Sequence, residues 1–269
     1  MTTATVVLEP TTELRTRPFD AIADTATIAQ RNLITLRRVP QLLVFSTVQP
    51  VIFVLLFRYV FGGAIRVPGV PYVDFLMPGV FAQTVAFGAM NTAIGLATDL
   101  NTGLIERFRS LPMARSAVLA GRTLADAARN VFVVALMVAV GFAVGFRVHT
   151  NPVAFLGAMA LLVLFGYALS WVFAAVGLAV ANPETAQAAA FPLLAPMVFA
   201  SSAFVPVASM PGWLQAFARN QPLSVVVSAS RALVLGGPTA THVLHALAWC
   251  GAILAVAAPL AVRRYRRAA

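Results

Sequence analysis

DLNTGLIERFRSLPMARSAVLAGRTLADAARN, residues 99–130, decides how this chain is built. It holds eight charged residues, yet it lies between two apolar runs that are each long enough to cross a bilayer. Leu104, Phe108 and Leu111 recur at i, i+4 and i+7, so 103–111 reads as a short amphipathic helix that Pro112 ends. Glu106 and Arg109 form an i, i+3 pair on its surface, and Arg107 points another way. A second helix starts near Ser116, a suitable N-cap. Arg115, Arg122, Asp126 and Arg129 share one face of it, and Ala117, Ala120, Leu124 and Val131 share the other. It reads as an amphipathic lead-in to the next apolar run. Two readings of 103–111 stand: a solvated loop that obeys charge asymmetry, or a helix docked by a soluble partner. An exposed Phe108 needs a reason, which favours the second.

Outward from this segment the chain is a wall of apolar residues. It is 60% hydrophobic and 10% charged, far from a soluble domain. The apolar residues come in long runs, which reads as an all-α integral membrane protein. The net charge of +10 raises nucleic acid as a partner, but the arginines gather at the ends of apolar runs, where they orient a membrane protein. All 19 basic residues are arginine. A phosphate-binding P-loop needs its lysine, so this chain carries no such ATP site. Cys250 is the only cysteine, which excludes an internal disulfide. Glu9, Glu13, Asp20 and Asp24 with no apolar stretch among them do not read as a signal peptide.

Six spans are predicted, at 41–61, 73–97, 130–146, 153–181, 188–205 and 242–262. The third and fifth are short and need flanking residues; the fourth is long. Residues 1–19 read as a disordered tail and 20–39 as an amphipathic helix lying on the membrane surface, with Arg31, Arg37 and Arg38 as its cations. The membrane domain is 40–262, and 263–269 is a basic tail. With the N-terminus placed inside, fourteen arginines face the cytoplasm and five face out, which puts both termini in the cytoplasm. Residues 207–241 are too apolar for a solvated loop, and the runs between Pro211, Pro222 and Gly236 are too short to span. They read as two short re-entrant helices in the outer leaflet between spans five and six.

No ionisable residue is expected near the middle of a span, which weakens an ion-coupled reading. A polar stripe exists on the second span, where Thr84, Gly88, Asn91 and Gly95 share a face with Gln83 beside it. It is either a seam of small residues for helix packing or a stripe that faces cargo or a dimer partner. Met77, Phe81, Met197 and Phe199 are read first as core or lipid contacts, and His242 with His245 as interfacial rather than metal ligands.

GLIERFRSLPMARSAVLAGRTLAD at 103–126 resembles the signature of the permease subunits of type-2 ATP-binding-cassette exporters, in particular the daunorubicin-resistance group. TVQPVIFVLLFRYVFGG at 47–63, YVDFLMPGV at 72–80, PGWLQAFARNQPLS at 211–224 and RALVLGGP at 231–238 resemble the same group in order and spacing. The resemblance implies a multi-pass subunit of the bacterial cytoplasmic membrane. It implies a second permease, identical or homologous, and two copies of an ATPase subunit that bind ATP and Mg. On that pattern Leu104, Glu106, Arg107, Phe108, Arg109 and Leu111 form the ATPase-coupling helix, and 20–39 is a connecting helix that also touches the ATPase. The chain itself holds no cofactor and no metal. The implied cargo is a hydrophobic antibiotic or a lipid, released outward past the re-entrant helices; Gln83, Thr84, Gly88 and Asn91 are the candidate cargo path on the reading of the second span given above. An ATP-independent channel or secondary transporter, and a membrane scaffold without transport, are the other classes.

Overall fold

The structure is a computed structural model that describes residues 40–65, 67, 69–103 and 115–268, with Thr25, Thr27 and Gln30. At 40–46, 115–118 and 268 it describes the backbone alone. The surface helix 20–39 and the coupling residues 104–111 therefore lie outside the described residues.

Among the described residues the regular structure is entirely helical. α1 (Pro40–Leu55) opens into a π-helical turn, Leu56–Phe61. α2 (Tyr72–Asn101), α3 (Arg115–Ala143) and α4 (Pro152–Gly177) follow, then α5 (Pro183–Phe199). After a 3-10 turn come the short α6 (Gly212–Asn220) and α7 (Pro222–Leu235), and finally α8 (Thr239–Ala268). Within these, Tyr72–Asn101, Leu119–Ala143, Pro152–Gly177 and Thr239–Arg267 are long and apolar enough to cross a membrane. Thr47–Phe61, from α1 into its π-turn, and α7 are shorter apolar helices, and α5 is a 17-residue helix with Pro192 and Pro196 inside it. Many large apolar side chains face outward, among them Leu156, Leu193, Leu244 and Val256, as lipid permits and water does not.

Local sequence starts and stops these helices. Asn151 and Asn182 accept the N–H groups of Ala154 (2.7 Å) and Thr185 (2.8 Å), each with a proline at the first helical position. Gly145, after α3, and Gly236, after α7, take positive φ, which glycine adopts without strain. The expected short third span is met by one continuous helix: the lead-in from Arg115 and the span are both α3. α5 begins before the expected fifth span and ends earlier, at Phe199. α8 runs on through Arg263 to Arg267, and Arg264 donates to the Ala175 carbonyl of α4 (2.7 Å).

α2 is the central post, packed against α1, α3, α4, α5 and α7. Glycines set its closest contacts. A Cβ on Gly79 would overlap the Ala203 backbone, and one on Gly177 would overlap that of Ala93. At the end of the bundle where α2 starts, three of the motifs noted above converge. Tyr72 donates to the Phe204 carbonyl (3.0 Å). Arg231 of α7 donates to the carbonyls of Phe75 (2.8 Å) and Ala203 (2.9 Å) and lies over the Phe75 ring. Gln221 donates to Met197 (2.8 Å) and Ala200 (3.3 Å), carbonyls at the end of α5, and Ser224 accepts the Ser202 N–H (3.0 Å). Asp74 is buried and accepts the Arg147 N–H (2.8 Å), with His149 Nε2 2.8 Å from its other oxygen. The N–H of His149 and the hydroxyl of Thr150 close this clasp on the Val234 and Leu233 carbonyls. Such bonding is what irregular backbone requires at membrane depth.

Candidate functional site: a polar cavity between α1, α2 and α3

The polar stripe of α2 faces a cavity of about 670 Å³. Gln83, Thr84, Gly88 and Asn91, the candidate cargo path, all line it, and Gly95 does too. The opposite walls are Gln49 and Pro50 of α1 and Arg122, Arg129, Asn130 and Val133 of α3, with Phe87, Met90 and Ile94 as apolar lining. A volume of this size fits a drug-sized ligand.

The sequence reading missed the α3 wall. α2 and α3 run antiparallel, and their polar residues meet as rungs. Nearest the 103–115 connection, Arg122 is paired with Asp99. Further in, the Thr92 hydroxyl donates to Asp126 (2.6 Å), and Asp126 pairs with Arg129 (3.3 Å). Arg129 donates to the carbonyl of Gly88, near the middle of α2 (2.6 Å). Ionisable groups therefore do stand beside the middle of a candidate span. The expectation of none rested on starting the third span at Asn130; α3 instead carries Asp126 and Arg129 along α2, each side chain 13% exposed. Mutual pairing makes that depth tolerable, since a lone charge would be far more costly. The signal was present in the spacing Arg122, Asp126, Arg129 on one helical face, read as solvent-facing.

The same contacts show what the α2 glycines face. A Cβ on Gly95 would strike the Arg122 guanidinium, and one on Gly88 the Asn130 amide. These glycines make room for polar side chains of α3 rather than for a neighbouring backbone. Gly166 of α4 receives the Asn130 amide from the other side. Met77 and Phe81 are fully buried core, as their first reading had it. His242 Nδ1 lies 2.7 Å from the Pro238 carbonyl at the start of α8.

The cavity offers donors, amides and apolar surface. Gln83 Oε1 and Asn130 Nδ2 are buried without a hydrogen-bond partner, and so is Arg122 Nε. Such groups cost free energy unless something satisfies them.

The chain was compared with known proteins. The profile of the "ABC-2 type transporter" family matches residues 24–235. The chain is 37% identical to the "Daunorubicin resistance ABC transporter permease protein DrrB1" of Streptomyces coeruleorubidus, over 99% of this chain and 98% of that one. It is 30% identical to the "Probable doxorubicin resistance ABC transporter permease protein DrrC" of Mycobacterium tuberculosis, covering 83% and 81%. Similarity extends to the "Putative transport permease ycf38" of Pyropia yezoensis at 26%, covering 79% and 74%.

Proposed function

The chain belongs to the ABC-2 type transporter family, and we propose that it works as the membrane permease of an ATP-driven exporter of hydrophobic drugs or lipids. In this reading it pairs with a second permease, identical or homologous. Two copies of a separate ATPase subunit bind ATP and Mg and do the hydrolysis; the permease is not itself an enzyme. Six spans cross the bacterial cytoplasmic membrane with both termini inside: α1 with its π-turn, α2, α3, α4, α5 and α8. α6 and α7 are re-entrant helices on the outer side. Residues 20–39 lie on the inner surface between a free tail, 1–19, and the membrane domain, 40–262, and 263–269 form the basic end of α8.

The observation that carries the reading is the rung series between α2 and α3. It joins the cavity wall to the 103–115 connection, where Leu104, Glu106, Arg107, Phe108, Arg109 and Leu111 form the coupling helix of this reading. A push on that helix moves α2 and α3 together, because Asp99–Arg122, Thr92–Asp126 and the Arg129 bond to the Gly88 carbonyl tie them along the cavity. The cavity then opens to one side of the membrane or the other, and cargo leaves past α6 and α7. The relatives named for daunorubicin and doxorubicin resistance support drug-like cargo.

Capture of the chain from its native membrane tests this. A P-loop ATPase is expected to co-purify, and Glu106→Ala or Phe108→Ala to release it while the permease stays folded. An intact permease that retains no ATPase in mild detergent would sink the reading. An ATP-independent secondary transporter is the alternative class, and Asp126 beside mid-span is what it would need. Asp126 is, however, already engaged by Arg129 and Thr92. Transport that follows a proton gradient without ATP would favour that alternative.

A further inference from the structure

The cavity presents cationic donors on one side and hides their counter-ions. Arg122 and Arg129 line it; Asp99 and Asp126, which pair with them, do not. A ligand therefore meets guanidinium N–H donors with no carboxylate beside them, together with amides that include the unpartnered Gln83 Oε1, although each ion pair is neutral as a whole.

Those donors are in excess of their partners. A guanidinium has five N–H groups. Arg129 uses one amino group on both the Gly88 carbonyl and Asp126. Arg122 spends Nη1 on Asp99, and its Nε, buried, has no partner. Thr84 and Thr98 turn their hydroxyl protons back to the Val80 (2.7 Å) and Ile94 (2.9 Å) carbonyls of their own helix. Among the described residues lining the cavity there is no carboxylate. Next to the guanidinium groups lie Pro50, Phe87, Met90, Ile94 and Val133, an apolar surface reached from the same volume.

We propose that this cavity binds an amphiphile with an anionic, acceptor-rich head, a phosphate or carboxylate, seated on Arg122 and Arg129 with its apolar part against Phe87, Met90, Ile94 and Val133. The inference rests on reading this cavity as the cargo path and narrows the cargo to that chemistry. A planar guanidinium is suited to such heads, which it grips by two parallel N–H bonds. An alkyl cation would face the same donors and find no acid. A neutral alcohol would satisfy one donor at most.

The test uses the whole chain in nanodiscs of zwitterionic phosphatidylcholine, without nucleotide or ATPase. Its outcome is thus separate from ATPase capture, and either can fail alone. Radiolabelled dodecyl phosphate is titrated against dodecanol and dodecyltrimethylammonium, which share its tail. Saturable binding of dodecyl phosphate, about tenfold or more tighter than the other two, is expected. The paired change R129Q/D126N removes both charges and leaves an acceptor for Thr92. It is expected to weaken dodecyl phosphate about tenfold and to leave dodecanol unchanged. R122Q/D99N is the second such pair, and whichever folds, as read by burial of Cys250, carries the test. Equal binding of the three probes, or paired variants that bind dodecyl phosphate as the parent does, would overturn the assignment. Inorganic phosphate distinguishes the sources of the anion. If it displaces dodecyl phosphate at equal concentration, the apolar wall contributes nothing and the amphiphile is refuted.

Discussion

Replacing Gly177 by alanine tests whether α2, which carries the cavity, is set in place by backbone contact with α4. A Cβ at Gly177 would lie 2.8 Å from Ala93 Cα and closer still to the Ala93 carbonyl oxygen, below any separation that real Cβ atoms show. Neither atom belongs to a flexible side chain, so the two helices must part along a shared buried face. Overpacking of this kind costs about 1–3 kcal/mol. Gly157, on the same helix, is the control: nothing lies within 4 Å of its added Cβ, and alanine there gains up to about 1 kcal/mol of helix propensity. The chain supplies its own probe. Cys250 is the only cysteine and is 1% exposed, so a thiol-reactive fluorophore reports unfolding. At roughly 2–4 °C per kcal/mol for a chain of this size, Gly177→Ala lowers the midpoint by roughly 2–12 °C. Gly157→Ala leaves it unchanged or raises it. A Gly177→Ala midpoint at or above the parent's would refute the close approach of α2 and α4.

Three other outcomes are expected. Asp126→Ala and Arg129→Ala each strand a charge beside mid-span and cost about 3 kcal/mol or more, whereas the double variant costs less than their sum; additive losses by the same thiol assay would rule out the rung. Gln83→Leu removes a buried acceptor with no partner, so stability rises by about 1 kcal/mol while export by the reconstituted complex falls; a loss of stability would mean that Gln83 is satisfied in the folded chain. Asp74→Ala frees the Arg147 amide and His149 from α2, and hydrogen exchange should quicken at Arg147 with little change at α2's centre; unchanged exchange there would show that the clasp holds without Asp74.

The helical class, the long apolar helices and the α2 stripe were legible because each is a local property. Run length finds a spanning helix, and 3.6-residue spacing puts Thr84, Gly88, Asn91 and Gly95 on one face whatever lies opposite. What lay opposite was not legible. Starting a span at its first uncharged residue assumes that each charge meets its surroundings alone. Asp126 and Arg129 do not: they neutralise each other and bond to Thr92 and Gly88 of a neighbouring helix. The partners are 34 and 41 residues away in the chain, so only the fold could bring them together. One clue was local. Gly88 and Gly95 recur seven residues apart on α2, and Arg122 and Arg129 seven apart on α3. The shared period brings each arginine to one of these glycines: Gly95 leaves space for the Arg122 guanidinium, and Gly88 accepts Arg129 at its carbonyl while leaving space for Asn130. Charge counting assigns such arginines to one side of a membrane whatever the seam does with them. Their depth is decided by α2. Orientation and depth are thus separate properties, and charge counting reads only the first.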